Sequence, residues 1–227
     1  MTSPPSSASG PSAQPAPVPL PVGTLVLASS SPRRREILGK MGLEFEIHVP
    51  DIDESALPDE APEALVTRLA EGKALAVARD LPKGQRRWVL GSDTVVVLDA
   101  DIIGKPADED DAIAMLERLT NRTHRVVTGV AVVDAHGGGI LSQAVISEVV
   151  MRPAKRDEIQ AYVATGESLD KAGAYALQGG GRRFVTRVEG SESNVIGLPM
   201  DETRALLARA AAGSLPAEVE APERNPS

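Results

Sequence analysis

Three arginines, Arg33, Arg34 and Arg35, follow Ser29-Ser30-Ser31-Pro32 directly after the apolar run Leu25-Val26-Leu27. The order reads as a short buried strand, a tight loop and a first helical turn, since proline suits a position whose N–H has no partner to meet. That helix end carries free N–H groups and a partial positive charge, so the arginines stand against the dipole. An anion held among the serine hydroxyls, the backbone N–H groups and the guanidinium forks removes the conflict, and phosphate fits that geometry best. The competing reading is a solvated basic turn, because the glycines and lysine of a P-loop are missing.

Carboxylates supply the second half of the chemistry. Val89 to Leu98 is the most apolar strand of the chain, and Ser92-Asp93-Thr94 interrupts it. An unpaired carboxylate buried there costs several kcal/mol, so Asp93 needs a cation, a metal or donors; otherwise it caps a local turn or marks a strand end. Lys73 falls four residues after Leu69 on a helical apolar stripe and either snorkels at its edge or faces a cleft as a cation. Asp51, Asp53 and Glu54 form an acidic loop, and Ile103-Gly104-Lys105-Pro106 forces an irregular path that presents Lys105. Later, Glu167 to Gly181 gathers charged and amide groups beside glycines. Gln178 there offers both donor and acceptor to a base edge, the alternative being a solvated glycine loop.

The elements that must position these groups alternate. The helix opened by Pro32 ends near Gly42, and Phe45, Ile47 and Val49 then alternate as a strand. Pro62 opens a helix with Leu65, Leu69, Ala76 and Val77 on one face. An acidic turn, Asp99 to Asp101, precedes the Lys105 loop, and Asp108 is an N-cap for a helix through Leu119. His124 to Val133 and a strand ending near Arg152 form an antiparallel hairpin around the turn Asp134 to Gly139. Asp157 to Val163 is a short helix, Phe184 to Val188 a strand, Gly190 to Asn194 a loop and Pro199 to Ala212 a closing helix. The pattern is α/β.

Composition narrows the partners. A net charge of −8 and 2% aromatic residues argue against duplex binding and against base-stacking platforms for single strands, so a basic cluster is better read as a pocket for a small anion. Without cysteine there is no disulfide, thiolate metal site or thiol nucleophile, and the cytosol is the default compartment. No apolar run is long enough for a membrane helix. Residues 1–21, rich in Pro, Ser and Ala, read as a disordered leader and residues 213–227 as a flexible tail, leaving residues 22–212 as one folded domain.

Taken together, Leu27-Ala28-Ser29 with Ser31-Pro32-Arg33-Arg34, then Gly91-Ser92-Asp93-Thr94, Lys105-Pro106, His124-Val126-Thr128-Gly129, and Asp170-Lys171-Ala172-Gly173-Ala174-Tyr175 with Gly197-Leu198-Pro199 resemble the Maf family of nucleotide pyrophosphatases in order and spacing. The resemblance implies a two-lobed α/β fold like that of the inosine triphosphate pyrophosphatases, with a long twisted mixed sheet, a central cleft, frequent homodimers and a divalent metal, Mg²⁺ or Mn²⁺. It implies cleavage of nucleoside triphosphates between the α and β phosphates, and a link to septum formation. By the same resemblance Asp93 takes the general-base position and a metal-ligand position with Glu54. Arg33, Thr94 and Gln178 fall on substrate-choice positions, and Arg34, Lys73 and Lys105 on phosphate-side positions, with Ser29 beside them. Thr94 with Gln178 is the pattern of the uridine and thymidine triphosphate hydrolases; the methylated-guanosine subgroup has Gln and Glu there. Glu192 departs from the family's frequent tyrosine before Ser193-Asn194. The rivals are a nucleotide-binding regulator of septation without turnover and a nucleic-acid-binding module.

Overall fold

A computed structural model describes residues 22–82 and 84–213; the expected leader and nearly all of the expected tail lie outside these. Six α-helices and seven strands follow the order β1 (Thr24–Ala28), α1 (Pro32–Lys40), β2 (Glu46–His48), α2 (Pro62–Asp80), β3 (Arg87–Leu98), β4 (Asp101–Ile103), α3 (Glu109–Leu119), β5 (Thr123–Asp134), β6 (Ile140–Met151), α4 (Arg156–Val163), β7 (Val185–Glu189), α5 (Glu192–Ile196) and α6 (Met200–Ala211). The strands form one mixed sheet in the order β2-β1-β3-β5-β6-β7, with β4 pairing β3.

The predicted helix starts hold. Pro32 opens α1, and the Ser31 hydroxyl caps it by accepting from the Arg34 N–H. Asp108 caps α3 through Asp111 N–H at 2.9 Å, while the Asp111 carboxylate accepts from Ala107 N–H at 2.9 Å, a reciprocal pair of caps. Two segments differ from the sequence reading. The acidic turn feeds a three-residue strand, β4, because Asp99 adopts positive φ and folds Asp101–Ile103 back onto β3. The expected loop at Gly190–Asn194 contains α5, capped by the Ser191 hydroxyl and ended by Gly197 at φ 121°; five residues are too short to show helical periodicity. β2 is exposed along its length, so its alternation does not mark a buried face.

The long central strands explain the cleft. On one face of β3, Trp88 and Leu90 join a core with α1 and α6, whereas Val96 and Leu98 join a second core with α3 and α4. Ser92 and Thr94 lie between them on the same face by the period of two. β5 repeats the break, with Val126 in one core, Val130 and Val132 in the other, and Thr128 between. A polar band thus divides that face into two lobes. The opposite face is covered along its length by α2, through Val89 at one end and Val95 and Val97 at the other. Between those lie Gly91 and Asp93, with Gly129 paired across from Asp93. A Cβ at Gly91 would come 2.1 Å from Ala70 O, and one at Gly129 2.1 Å from Val66 O. The two glycines therefore let α2 sit directly on the sheet at the level of Asp93.

Candidate active site

The sheet is incomplete at one point. β1 pairs with β3 only as far as Gly91, and β4 begins only at Val96. Over Ser92–Val95, β3 therefore has β5 on one side and an open edge on the other. A cavity of about 700 Å³ lies there and is lined from both faces of the sheet. β1 delivers the Ser29–Pro32 loop and the start of α1 to its wall. This is the crevice at strand ends where α/β sheets hold ligands.

On the α2 face, Asp93 is 8% exposed and Lys73 5%. The Lys73 ammonium lies 2.6 Å from Asp93 Oδ1 and 2.9 Å from Glu54 Oε1. Lys73 is buried and does not snorkel; the close seat of α2 brings it beneath the two carboxylates, which it joins and both of which line the cavity. Asp93 does line the cavity, and its other carboxylate oxygen has no hydrogen bond among the described residues. Glu54 sits on an ordered loop. Arg68 of α2 grips Glu60 through two bonds of 2.6 and 2.7 Å and donates to Ser55 O at 3.0 Å. This pairing holds the Glu60 carboxyl down to about 2. Among the described residues no group of three or more His, Asp or Glu side chains is placed to hold a metal.

The other face carries Arg34. Its Nε donates to Gly197 O at 2.9 Å, Nη1 to Ser29 Oγ at 3.2 Å and Nη2 to Thr94 Oγ1 at 3.3 Å. Thr94 Oγ1 also meets Thr128 Oγ1 at 3.0 Å, and Thr128 donates to Asn194 O. Buried Asn194 in turn donates to Val126 O and Ser147 Oγ. Hydroxyls and amides thus clamp α5 onto the polar band and hold the guanidinium in place. Burial lowers the Arg34 pKa, with Arg33 acting in the same direction and the charges of Asp93 and Glu54 opposing both.

The remaining predicted residues reach the same cavity. Lys105 and Gln178 line it as exposed side chains without a protein partner among the described residues. Arg33 lines it too, but pairs with Asp170 at 3.1 Å across the cleft, so it is shared with an acid that the sequence reading left without a role. Lys171 pairs with the same Asp170 and also lines the cavity. Their place in the Asp170–Tyr175 motif was the signal that these two belong to the site. Thr128 and Asn194 stood in such motifs without a role, and Arg68 stood in none; its place came only from its bonds to Glu60 and Ser55. Behind Tyr175, buried His124 places Nε2 2.9 Å from the phenol oxygen.

The family model described as Maf-like protein matches residues 24–210. The chain is 49% identical over 180 residues to a protein of Geobacter sulfurreducens named dTTP/UTP pyrophosphatase, an alignment covering 79% of this chain and 93% of that protein. Proteins of the same name from Myxococcus xanthus and Anaeromyxobacter dehalogenans are 50% and 51% identical, each over 82% of this chain and over 92% and 93% of their own lengths. A solved nucleoside-triphosphatase, a dITP/XTP pyrophosphatase of Mycobacterium abscessus, aligns over 85% of this chain and 98% of its own at 13% identity, with a TM-score of 0.38. The family model spans the whole of the described fold apart from a few terminal residues, and the chain belongs to the Maf family.

Proposed function

We propose that this protein hydrolyses dTTP and UTP to the nucleoside monophosphate and pyrophosphate. The observation that carries this reading is the division of charge at the open edge of β3: Asp93 on one face, Arg34 on the other, both lining one cavity. A triphosphate lying across that edge meets Arg34 and Lys105 with its oxygens while its α phosphorus stands over the Asp93 carboxylate. Attack at the α phosphorus is a problem of positioning and charge, with a carboxylate needed to orient and deprotonate water. What supports Asp93 in that task is that Lys73 fixes one carboxylate oxygen and leaves the other to the cavity. The ammonium also offsets the repulsion between Asp93 and Glu54.

A divalent cation fits this donor set. Magnesium characteristically takes one or two protein carboxylates and completes its shell with phosphate oxygens and water. Glu54 and Asp93 are the pair that would hold it, the nucleotide supplying the rest, so no third protein ligand is required. When bound, Mg²⁺ or Mn²⁺ neutralises charge that develops on the phosphate oxygens. For the base, the exposed Gln178 amide can donate to a carbonyl and accept from the ring N–H of uracil or thymine.

The experiment is to follow pyrophosphate release from dTTP, UTP and 7-methyl-GTP with and without Mg²⁺. Stoichiometric pyrophosphate from the two pyrimidine nucleotides, at much higher specificity constants than from 7-methyl-GTP, is the expected result. Binding without release would make the protein a nucleotide-sensing regulator instead. A preference for 7-methyl-GTP would overturn the base assignment and leave the pyrophosphatase reading in place.

A further inference from the structure

Gln178, the proposed contact to the base, lines the cavity without a protein hydrogen bond to its side chain among the described residues. The aim of its amide is therefore set by its backbone. That backbone is a tight turn: Ala176 O accepts from Gly179 N–H at 3.2 Å, which makes Gln178 the third of the four residues. A turn closed by one such bond can swing as a unit, and binding loops are aimed by the scaffold beneath them.

Two side chains hold this turn, one at each end. At the leading end the Ala176 N–H donates to the Tyr162 phenol oxygen at 2.9 Å. Tyr162 belongs to α4, is fully buried and meets the Phe184 ring edge-on at 5.4 Å, so its oxygen is a fixed point of that lobe's core. At the trailing end the Gly180 N–H donates to Glu167 Oε2 at 2.8 Å. Glu167 follows the end of α4, and its own carbonyl accepts from Lys171 Nζ at 2.5 Å. Glycines let both acceptors come so close. A Cβ at Gly179 would lie 2.4 Å from Glu167 Oε2, and one at Gly181 2.8 Å from Ala176 N and 3.1 Å from the Tyr162 oxygen. Neither Tyr162 nor Glu167 lines the cavity, so each reaches a nucleotide only through the turn. We propose that Glu167 and Tyr162 are positioning residues for the choice of base, pinning the turn that aims Gln178 into the cavity. This rests on the reading of Gln178 as the base contact.

The test separates the base from the phosphate chain. Titration calorimetry on the full-length protein measures dTMP, which carries the base, and inorganic triphosphate, which does not; kinetics give the specificity constants for dTTP, UTP and 7-methyl-GTP. Glu167→Ala should weaken dTMP binding about tenfold, the scale of a hydrogen bond to a charged group, and lower the preference for dTTP over 7-methyl-GTP by the same factor. Binding of inorganic triphosphate should not change. Tyr162→Phe removes the other acceptor and should act in the same direction. Glu167→Gln keeps an oxygen to accept from Gly180 and should restore most of the loss. Added to Gln178→Ala, Glu167→Ala should cost nothing more, because the side chain it aims is gone. If Tyr162→Phe does not fold, Glu167→Ala carries the expectation, its side chain being only half-buried. An unchanged choice among nucleotides in folded Glu167→Ala would overturn the proposal. Equal losses for dTMP and inorganic triphosphate would also overturn it, since they mark a general loosening of the cavity. Weaker dTMP binding alone, in a protein that turns over no nucleotide, would retain the positioning role and reject the pyrophosphatase reading.

Discussion

Asp93 and Thr94 are consecutive, and the sheet sends them to opposite faces and opposite kinds of chemistry. On the α2 face the charges satisfy one another: a lysine joins two carboxylates within 2.9 Å. On the α5 face Arg34 meets only hydroxyls and a carbonyl. A buried ion pair is held at a cost in desolvation and is weak evidence for stability; its usefulness here lies in fixing a carboxylate. A cation with neutral partners is the opposite device, since its charge is completed by a ligand. The open edge between β1 and β4 exposes both faces to one cavity. In the proposed reaction catalysis and binding are thus separated by a single peptide bond, and mutations on the two faces should divide between kcat and KM.

The largest effect is expected from Asp93→Asn. The amide oxygen can still accept from Lys73, and Glu54 still pairs with the ammonium, so fold and nucleotide affinity should persist. Turnover should fall about a hundredfold or more, the scale of losing a positioned base. Wild-type turnover in the purified variant would remove Asp93 from the mechanism. Arg34→Gln should behave in the other way, raising KM for dTTP and UTP by roughly thirtyfold with a smaller change in kcat, as expected for a lost charged hydrogen bond. Steady-state kinetics on both variants decides whether the faces divide the work; equal losses in kcat from both would break the comparison.

Gln178→Glu should act on neither face's chemistry. A carboxylate cannot donate to the base carbonyl, so the preference for pyrimidine nucleotides over 7-methyl-GTP should shrink several-fold while pyrophosphate remains the product. Parallel kinetics on the three nucleotides checks it, and an unchanged preference would place the base elsewhere in the cavity.

Much of this division is visible before the structure. Strand, serine loop and capped helix follow from Leu25 to Leu38, and Asp93 within an apolar strand announces a buried charge in need of partners. The partner itself was harder to assign. Lys73 sits on an apolar stripe, which suggests an edge or cleft position, but the approach of α2 depends on Gly91 and Gly129, whose meaning lies in distances to Ala70 and Val66 that the sequence does not carry. Asn194 shows the same limit. It sits in a segment read as a loop, and its hydrogen bonds run to residues 47 and 68 positions away. Local rules read caps and strand periods well; groups that act through a distant partner need the fold.

The smallest effect on turnover at neutral pH belongs to His124, behind the cleft wall. Burial pulls its pKa from 6.5 down to about 4, so the folded protein keeps the ring neutral while the unfolded chain protonates it near 6.5. Nδ1 is buried without a partner, which favours the tautomer with Nε2 donating to Tyr175 and only a lone pair left unmet. Stability therefore falls as pH drops from about 6.5 to about 4, by up to about 3 kcal/mol, and levels off below. The depressed carboxylates, Glu60 among them, titrate in the unfolded chain near 4.5 or lower, so the upper part of this window belongs to the imidazole. His124→Gln can still donate to the Tyr175 oxygen but does not titrate. Its urea midpoint should decline less than that of the wild type between pH 6.5 and 4.5, while activity at pH 7.5 stays close to normal. Parallel midpoints that decline equally would assign the acid sensitivity to other groups; a loss of activity at pH 7.5 with the fold intact would mean that the His124–Tyr175 contact shapes the cleft itself.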